Sequence, residues 1–120
     1  KLPEIAAKAS LNNTYFSSLY SPDAESRLNK DFVAEYQKAY NARPDVFAAL
    51  AYDSALLLAK AMEDAKSFDP AKINEALAKV NGFQGVSGTV TFNAQHNPVK
   101  SAVIIEHKDG KQTFKTKINP

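Results

Sequence analysis

The chain has no cysteine, which excludes disulfides and thiolate metal sites and leaves the compartment open. It also has no run of like charge. Its 15 lysines and arginines against 13 acids leave a formal charge of +2. The lysines are scattered and form no patch of the kind nucleic acid or a membrane surface requires, so no nucleic-acid partner is expected. No apolar run approaches the ~20 residues of a membrane-spanning helix. Internal repeats and low-complexity segments are missing too. The opening Lys1-Leu2-Pro3-Glu4-Ile5 lacks the apolar middle of a signal peptide, and the chain is expected to begin inside something larger. What is present is ordinary: 120 residues, 44% of them hydrophobic and 23% charged. That is the composition of one globular core able to bury roughly 65% of its unfolded surface.

Apolar spacing predicts a helix over Leu2–Ala9. Thr14–Tyr20, rich in aromatic and hydroxyl residues, reads as a strand. A lone strand needs neighbours, which are expected upstream. Ser21-Pro22-Asp23 is a turn that can start a helix over Ala24–Tyr40, whose Leu28, Phe32, Tyr36 and Tyr40 make an aromatic face. Pro44 ends it. Asp45 is a good N-cap for an alanine- and leucine-rich helix over Val46–Ala65, expected to be buried on most sides. A further helix starts at Pro70 with Ile73, Leu77 and Val80 inward, and Asn81-Gly82 stops it. Glycines 82, 85 and 88 then punctuate the chain. Thr89–Phe92 alternates as a strand would, and Ala102–His107 and Lys111–Ile118 form a hairpin about Asp109-Gly110.

Few residues have the company that catalysis demands. His96 and His107 are the only histidines; neither has a metal-ligand partner at suitable spacing, and both are expected on exposed turn or strand positions. Ser17-Ser18 lacks the glycines of a nucleophile elbow. The three glycines lie between a helix and a strand, the reverse of the order that cradles phosphate, and turn geometry explains them. Glu63, Asp64 and Asp69 read as solvated surface and a helix cap. No catalytic residue, metal ligand or cofactor is assigned. Asp53 sits in an apolar helix; it is either buried with a partner, facing the surface, or holding the amides of a neighbouring loop. Phe47 occupies the first turn of the same helix, where free amides and the positive dipole end point outward. It either walls an apolar pocket or belongs to the core.

The stretch Arg43-Pro44-Asp45-Val46-Phe47-Ala48-Ala49-Leu50-Ala51-Tyr52-Asp53-Ser54-Ala55 closely resembles the branched-chain amino-acid-binding proteins that serve ABC importers. The spacing Phe32-x-x-x-Tyr36-x-x-x-Tyr40 and the run Phe83-Gln84-Gly85-Val86-Ser87-Gly88-Thr89-Val90-Thr91-Phe92, followed by Asn97-Pro98-Val99-Lys100, are similar to the same family, as is Tyr15–Pro22. The resemblance runs over nearly all the chain. It implies a partial class I periplasmic-binding-protein fold: an α/β fragment of a two-lobed, parallel-sheet protein, helices followed by a C-terminal hairpin. On that plan residues 1–20 end the C-terminal lobe and residues 21–23 are a hinge crossing. Residues 24–97 complete the N-terminal lobe, and residues 98–120 hold the last crossing and the terminal hairpin.

The implied function is capture of a small solute, a branched-chain or related amino acid, outside the cytoplasm, in a periplasm or on a cell-surface lipoprotein. The full-length protein would hand that solute to a membrane ABC permease. Phe47 is the first ligand-binding candidate and Tyr20, beside the hinge, the second; the polar contacts to the ligand are expected upstream. A ligand-sensing or regulatory module of the same fold is the alternative. An enzyme is disfavoured, because no nucleophile–base pair or metal constellation stands out. Exposed strand edges make self-association of the chain a further expectation.

Overall fold

The computed structural model describes residues 11–120, so the helix expected over Leu2–Ala9 lies outside the described residues. In chain order the elements are β1 (Thr14–Ser18), α1 (Arg27–Tyr40), α2 (Val46–Ala65), α3 (Pro70–Ala78), β2 (Phe83–Gly85), β3 (Gly88–Phe92), β4 (Pro98–Val99), β5 (Ala102–Lys108) and β6 (Lys111–Ile118). The strands form two separate antiparallel sheets, ordered β1-β5-β6 and β2-β3-β4. This is the mixed α/β organisation expected. The parallel pairing implied by the resemblance does not occur among the described residues.

One neighbour of β1 lies downstream, in addition to those expected upstream. Thr14 stands opposite His107, and Ser18 opposite Val103. The hairpin explains this: β5 gives one edge to β6, and β1 takes the other. Val103, Ile105 and His107 of β5 are buried on one face, the period-two pattern of a half-buried strand. His107 is therefore a core residue, 4% exposed. It contacts the Thr14 hydroxyl at 3.1 Å and lies 5.4 Å from the Phe16 ring. A central strand covers its own inward side chains, which the pattern around a lone histidine does not reveal. On the opposite face Glu106 accepts hydrogen bonds from Tyr15 at 2.9 Å and Lys115 at 3.0 Å. These two bonds, Lys115's first, hold its carboxyl below the usual range.

Each helix starts where a side chain can satisfy its free amides. Asp45 and Asp69 do so as expected, accepting from Ala48 and Ala71, each at 2.8 Å. For α1 the cap is Ser26, which accepts from Asn29 N at 3.2 Å, so the helix begins three residues later than its apolar spacing implies. The displaced segment is wound around Asn29. Its side-chain amide, fully buried, donates to the carbonyls of Ser21, Pro22 and Ala24 at 3.2, 3.3 and 2.9 Å. These bonds hold the segment in a non-helical course ahead of the Ser26 cap.

The long helix α2 is less enclosed than its composition implies. Ala49, Asp53, Leu57 and Ala61 form a single buried stripe, while Tyr52, Leu56 and Leu58 are exposed. The stripe faces two small cores, one of Tyr20, Phe32, Ala49 and Val86, the other of Leu57, Val80 and Val90. Between them lies Asp53. Its carboxylate accepts from the amides of Val86 at 2.7 Å and Ser87 at 2.9 Å, and from the Ser87 hydroxyl. Of the three readings open for Asp53, it holds a neighbouring loop's amides, and does so buried.

The Ser87 hydroxyl in turn accepts from Lys100 Nζ at 2.6 Å. Burial lowers the pKa of that ammonium, and the Asp53 carboxylate opposes the shift. The glycines around the loop divide into two kinds. Gly88 adopts φ +111°, which side chains disfavour, so turn geometry does explain it. Gly85 has no such angle; a Cβ there would lie within 2.7 Å of all three terminal atoms of the Asp53 side chain. Closeness to a carboxylate, not turning, makes it glycine.

Two substitutions probe this contact by urea unfolding. Asp53→Ala strands two buried amides and is expected to cost about 3 kcal/mol. Gly85→Ala, which must push the carboxylate away, is expected to cost ~1–3 kcal/mol. The exposed control Lys60→Ala is expected to change stability by under ~0.5 kcal/mol. Equal stabilities for all three would show the contact to be unimportant.

Candidate functional site

An open cleft of about 1040 Å³ lies where the segment after β1, the loop before α2 and the hairpin turn converge. Each wall follows from local sequence. Pro22 and Pro44 shape two of the approaches, and both line the cleft. Asp109 and Gly110, with φ of 50° and 74°, turn the hairpin so that Gly110–Phe114 close the third side. Across the mouth Arg43 Nη2 meets Asp23 Oδ1 at 2.6 Å. Both side chains are about half exposed, so the pair contributes under ~1 kcal/mol, and its main effect is to tie the two approaches together.

Tyr20 lines this cleft but is 4% exposed. Its ring packs edge-on against Phe32, with centroids 6.4 Å apart, and touches the core that contains Ala49 and Val86. Its hydroxyl is buried without a hydrogen-bond partner. Burial pushes the phenol's pKa up to about 12, with Asp23 and Asp53 adding to the rise and Arg43 opposing it. Phe47 lies at the same end of the molecule, next to the cleft-lining Val46 and Asp45. Its side chain is 77% exposed. The reading of Phe47 as core is therefore set aside. The two aromatic candidates are brought to one region, with Tyr20 turned inward and Phe47 presented outward.

Three residues of this region carry weight that sequence reasoning did not assign to them. Asn29 orders the approach to the cleft, and Arg43 and Asp23 bridge it. Asn29 does leave a signal. It precedes Phe32 by three positions and Tyr36 by seven, which puts a polar residue on an otherwise apolar helical face. The Arg43–Asp23 pair leaves none, because it joins two loops 20 residues apart. No cluster of three or more histidine or acidic side chains suited to a metal ion occurs among the described residues.

Residues 2–112 match a family described as periplasmic binding protein. Among solved structures, a leucine-binding protein from Thermotoga maritima is 34% identical with a TM-score of 0.84, the match covering 98% of this chain and 35% of that one. A branched-chain amino-acid transporter substrate-binding protein from Streptococcus pneumoniae, in complex with isoleucine, is 36% identical with a TM-score of 0.81, covering 98% and 34%. A solute-binding protein of an ABC transporter from R. palustris, in complex with benzoate, is 29% identical with a TM-score of 0.78, covering 97% and 33%. The chain thus spans about a third of the length of these structures.

The enclosed Tyr20 hydroxyl generates a pH prediction. Unfolded, Tyr20 releases its proton near 10; folded, it holds the proton to about 12. The folded state is the tighter proton binder, so stability is unaffected below pH 10 and falls as pH rises from 10 to 12. Tyr20→Phe is expected to flatten that fall in denaturant titrations and to remove the last phenolate step from the absorbance titration. An unaltered alkaline limb in the variant would place the effect elsewhere.

Proposed function

The chain belongs to the periplasmic binding protein family, and from that premise we propose that it is part of an extracytoplasmic receptor that captures a branched-chain or related amino acid for an ABC importer, and not part of an enzyme. The observation that carries the proposal is Phe47, a large apolar ring held out to solvent beside the cleft on the first turn of α2. A ring at that place can wall an aliphatic side chain, and burying a leucine-sized group stabilises binding by about 2 kcal/mol. The leucine-binding and isoleucine-bound relatives support the ligand class. The separation of the strands into two sheets supports a division in which β1 and the terminal hairpin belong to one lobe and β2 and β3 to the other.

The benzoate-bound relative favours a second reading, an aromatic carboxylate as ligand. Calorimetry of the full-length protein against leucine, isoleucine, valine and benzoate separates the two. With leucine as ligand, Phe47→Ala is expected to weaken binding about 5–30-fold. The melting temperature should stay within about 1 °C, because the ring is exposed. Unchanged affinity would remove Phe47 from the site. The 120-residue chain by itself is expected to give no heat with micromolar leucine. A micromolar Kd would show that the polar contacts lie within these residues.

A further inference from the structure

Between α3 and β2 the chain runs Lys79-Val80-Asn81-Gly82, and the fold dictates the last of these residues. Gly82 adopts φ +73°, while a Cβ there would meet nothing within 4 Å. Conformation, not crowding, therefore keeps a side chain off this position. The result is an asparagine, a thermolabile residue, followed by glycine. With no side chain to screen the glycine nitrogen from the asparagine carboxamide, such a pair closes readily to a succinimide. The Gly82 nitrogen would attack Asn81 Cγ. The new N–Cγ bond replaces Cγ–Nδ2, and ammonia leaves with the proton given up by the Gly82 amide. Water then opens the ring to an aspartyl or an isoaspartyl residue. Asn81 and Gly82 are both exposed, so water has access to them.

One hydroxyl stands across the reacting groups. Thr91 Oγ1 of β3 accepts from the Gly82 amide at 2.9 Å and donates to Asn81 Oδ1 at 3.1 Å. Its single proton and one of its lone pairs are thus engaged with the electrophile and the nucleophile of the same reaction. Donors approach a carbonyl oxygen near the plane of its substituents. Thr91 therefore holds the carboxamide by its oxygen edge, whereas the attacking nitrogen has to meet its face. The flanking backbone is held by the same strand: Val80 O accepts from Phe92 N at 3.1 Å, and Phe83 pairs with Val90. We propose that Asn81-Gly82 is a latent deamidation site, kept closed in the folded chain by the Thr91 hydroxyl. An isoaspartyl linkage there adds one backbone atom between α3 and β2, ahead of the Val86–Ser87 turn that Asp53 holds. The site and its closure are independent of what the cleft binds.

Peptide mapping by mass spectrometry, on the full-length protein aged in mildly alkaline buffer, tests the proposal. Deamidation at Asn81 is expected to be about tenfold slower in the folded wild type than in the same protein aged in concentrated urea. Thr91→Val keeps the branched shape and removes the hydroxyl; it is expected to speed the reaction about tenfold in the folded state. Thr91→Ser is expected to leave it slow. Asp109, exposed in the hairpin turn and followed by Gly110, is open to the same ring closure. Its isomerisation serves as an internal reference and should be equal in all three folded proteins. Hydrogen exchange separates local release from unfolding: in Thr91→Val the Gly82 amide is expected to exchange faster, with Val86 and Phe92 unchanged. An unchanged rate at Asn81 in Thr91→Val overturns the proposal, and a slower one makes the hydroxyl a proton relay that assists the reaction. A faster rate with equal gains in exchange at Val86 and Phe92 also counts against it, because loosening of β2 and β3 would then explain the change.

Discussion

A single carboxylate organises this chain. Asp53 lies on the buried stripe of α2, where an unpaired charge would cost several kcal/mol. The cost is offset because two amides and a hydroxyl of the Val86–Ser87 turn converge on it. Much else follows from that convergence. Residue 85 must lack a side chain, residue 88 must turn with a positive φ, and Lys100 has an anion-backed hydroxyl to reach for. The helix, the glycine-marked turn and the segment before β5 are separate in sequence and meet at one point in space. These are also among the stretches through which the chain resembles its family.

The cleft depends on the same point at one remove. Val86, held by Asp53, belongs to the core that receives Tyr20, and Tyr20 anchors the segment from which Ser21, Pro22 and Asp23 line the opening. Asn29 fixes that segment from the other side. The cleft therefore has one wall fastened twice to the helices and another formed by a hairpin anchored chiefly to β1.

How much of this the sequence disclosed depends on the range of the interactions involved. Helix α2 and strand β6 begin and end where capping and turn chemistry place them, because Asp45 and Asp109-Gly110 act within a few residues. The start of α1 is misplaced by three residues because Asn29 acts eight positions back, on a segment whose own pattern suits helix. The partner of β1 and the burial of His107 are not legible, since both follow from a pairing some 90 residues apart. For Asp53 the sequence narrows the options to three without choosing, and only the arrival of Val86 and Ser87 decides. Phe47 is placed correctly on the first turn, but its exposure depends on what does not pack against it.

The long reach of the β1–β5 pairing has a temporal side. Ser18 leaves the ribosome 85 residues before its partner Val103, roughly 4–17 s earlier at ordinary synthesis rates of about 5–20 residues per second. During that interval β1 is without its β5 partner. The helices between, built from local contacts, form far faster. The sheet that carries one wall of the cleft is therefore the last part of the described chain to assemble, and a cell making this protein has to keep Tyr15 and Phe16 out of mischief until its closing residues arrive.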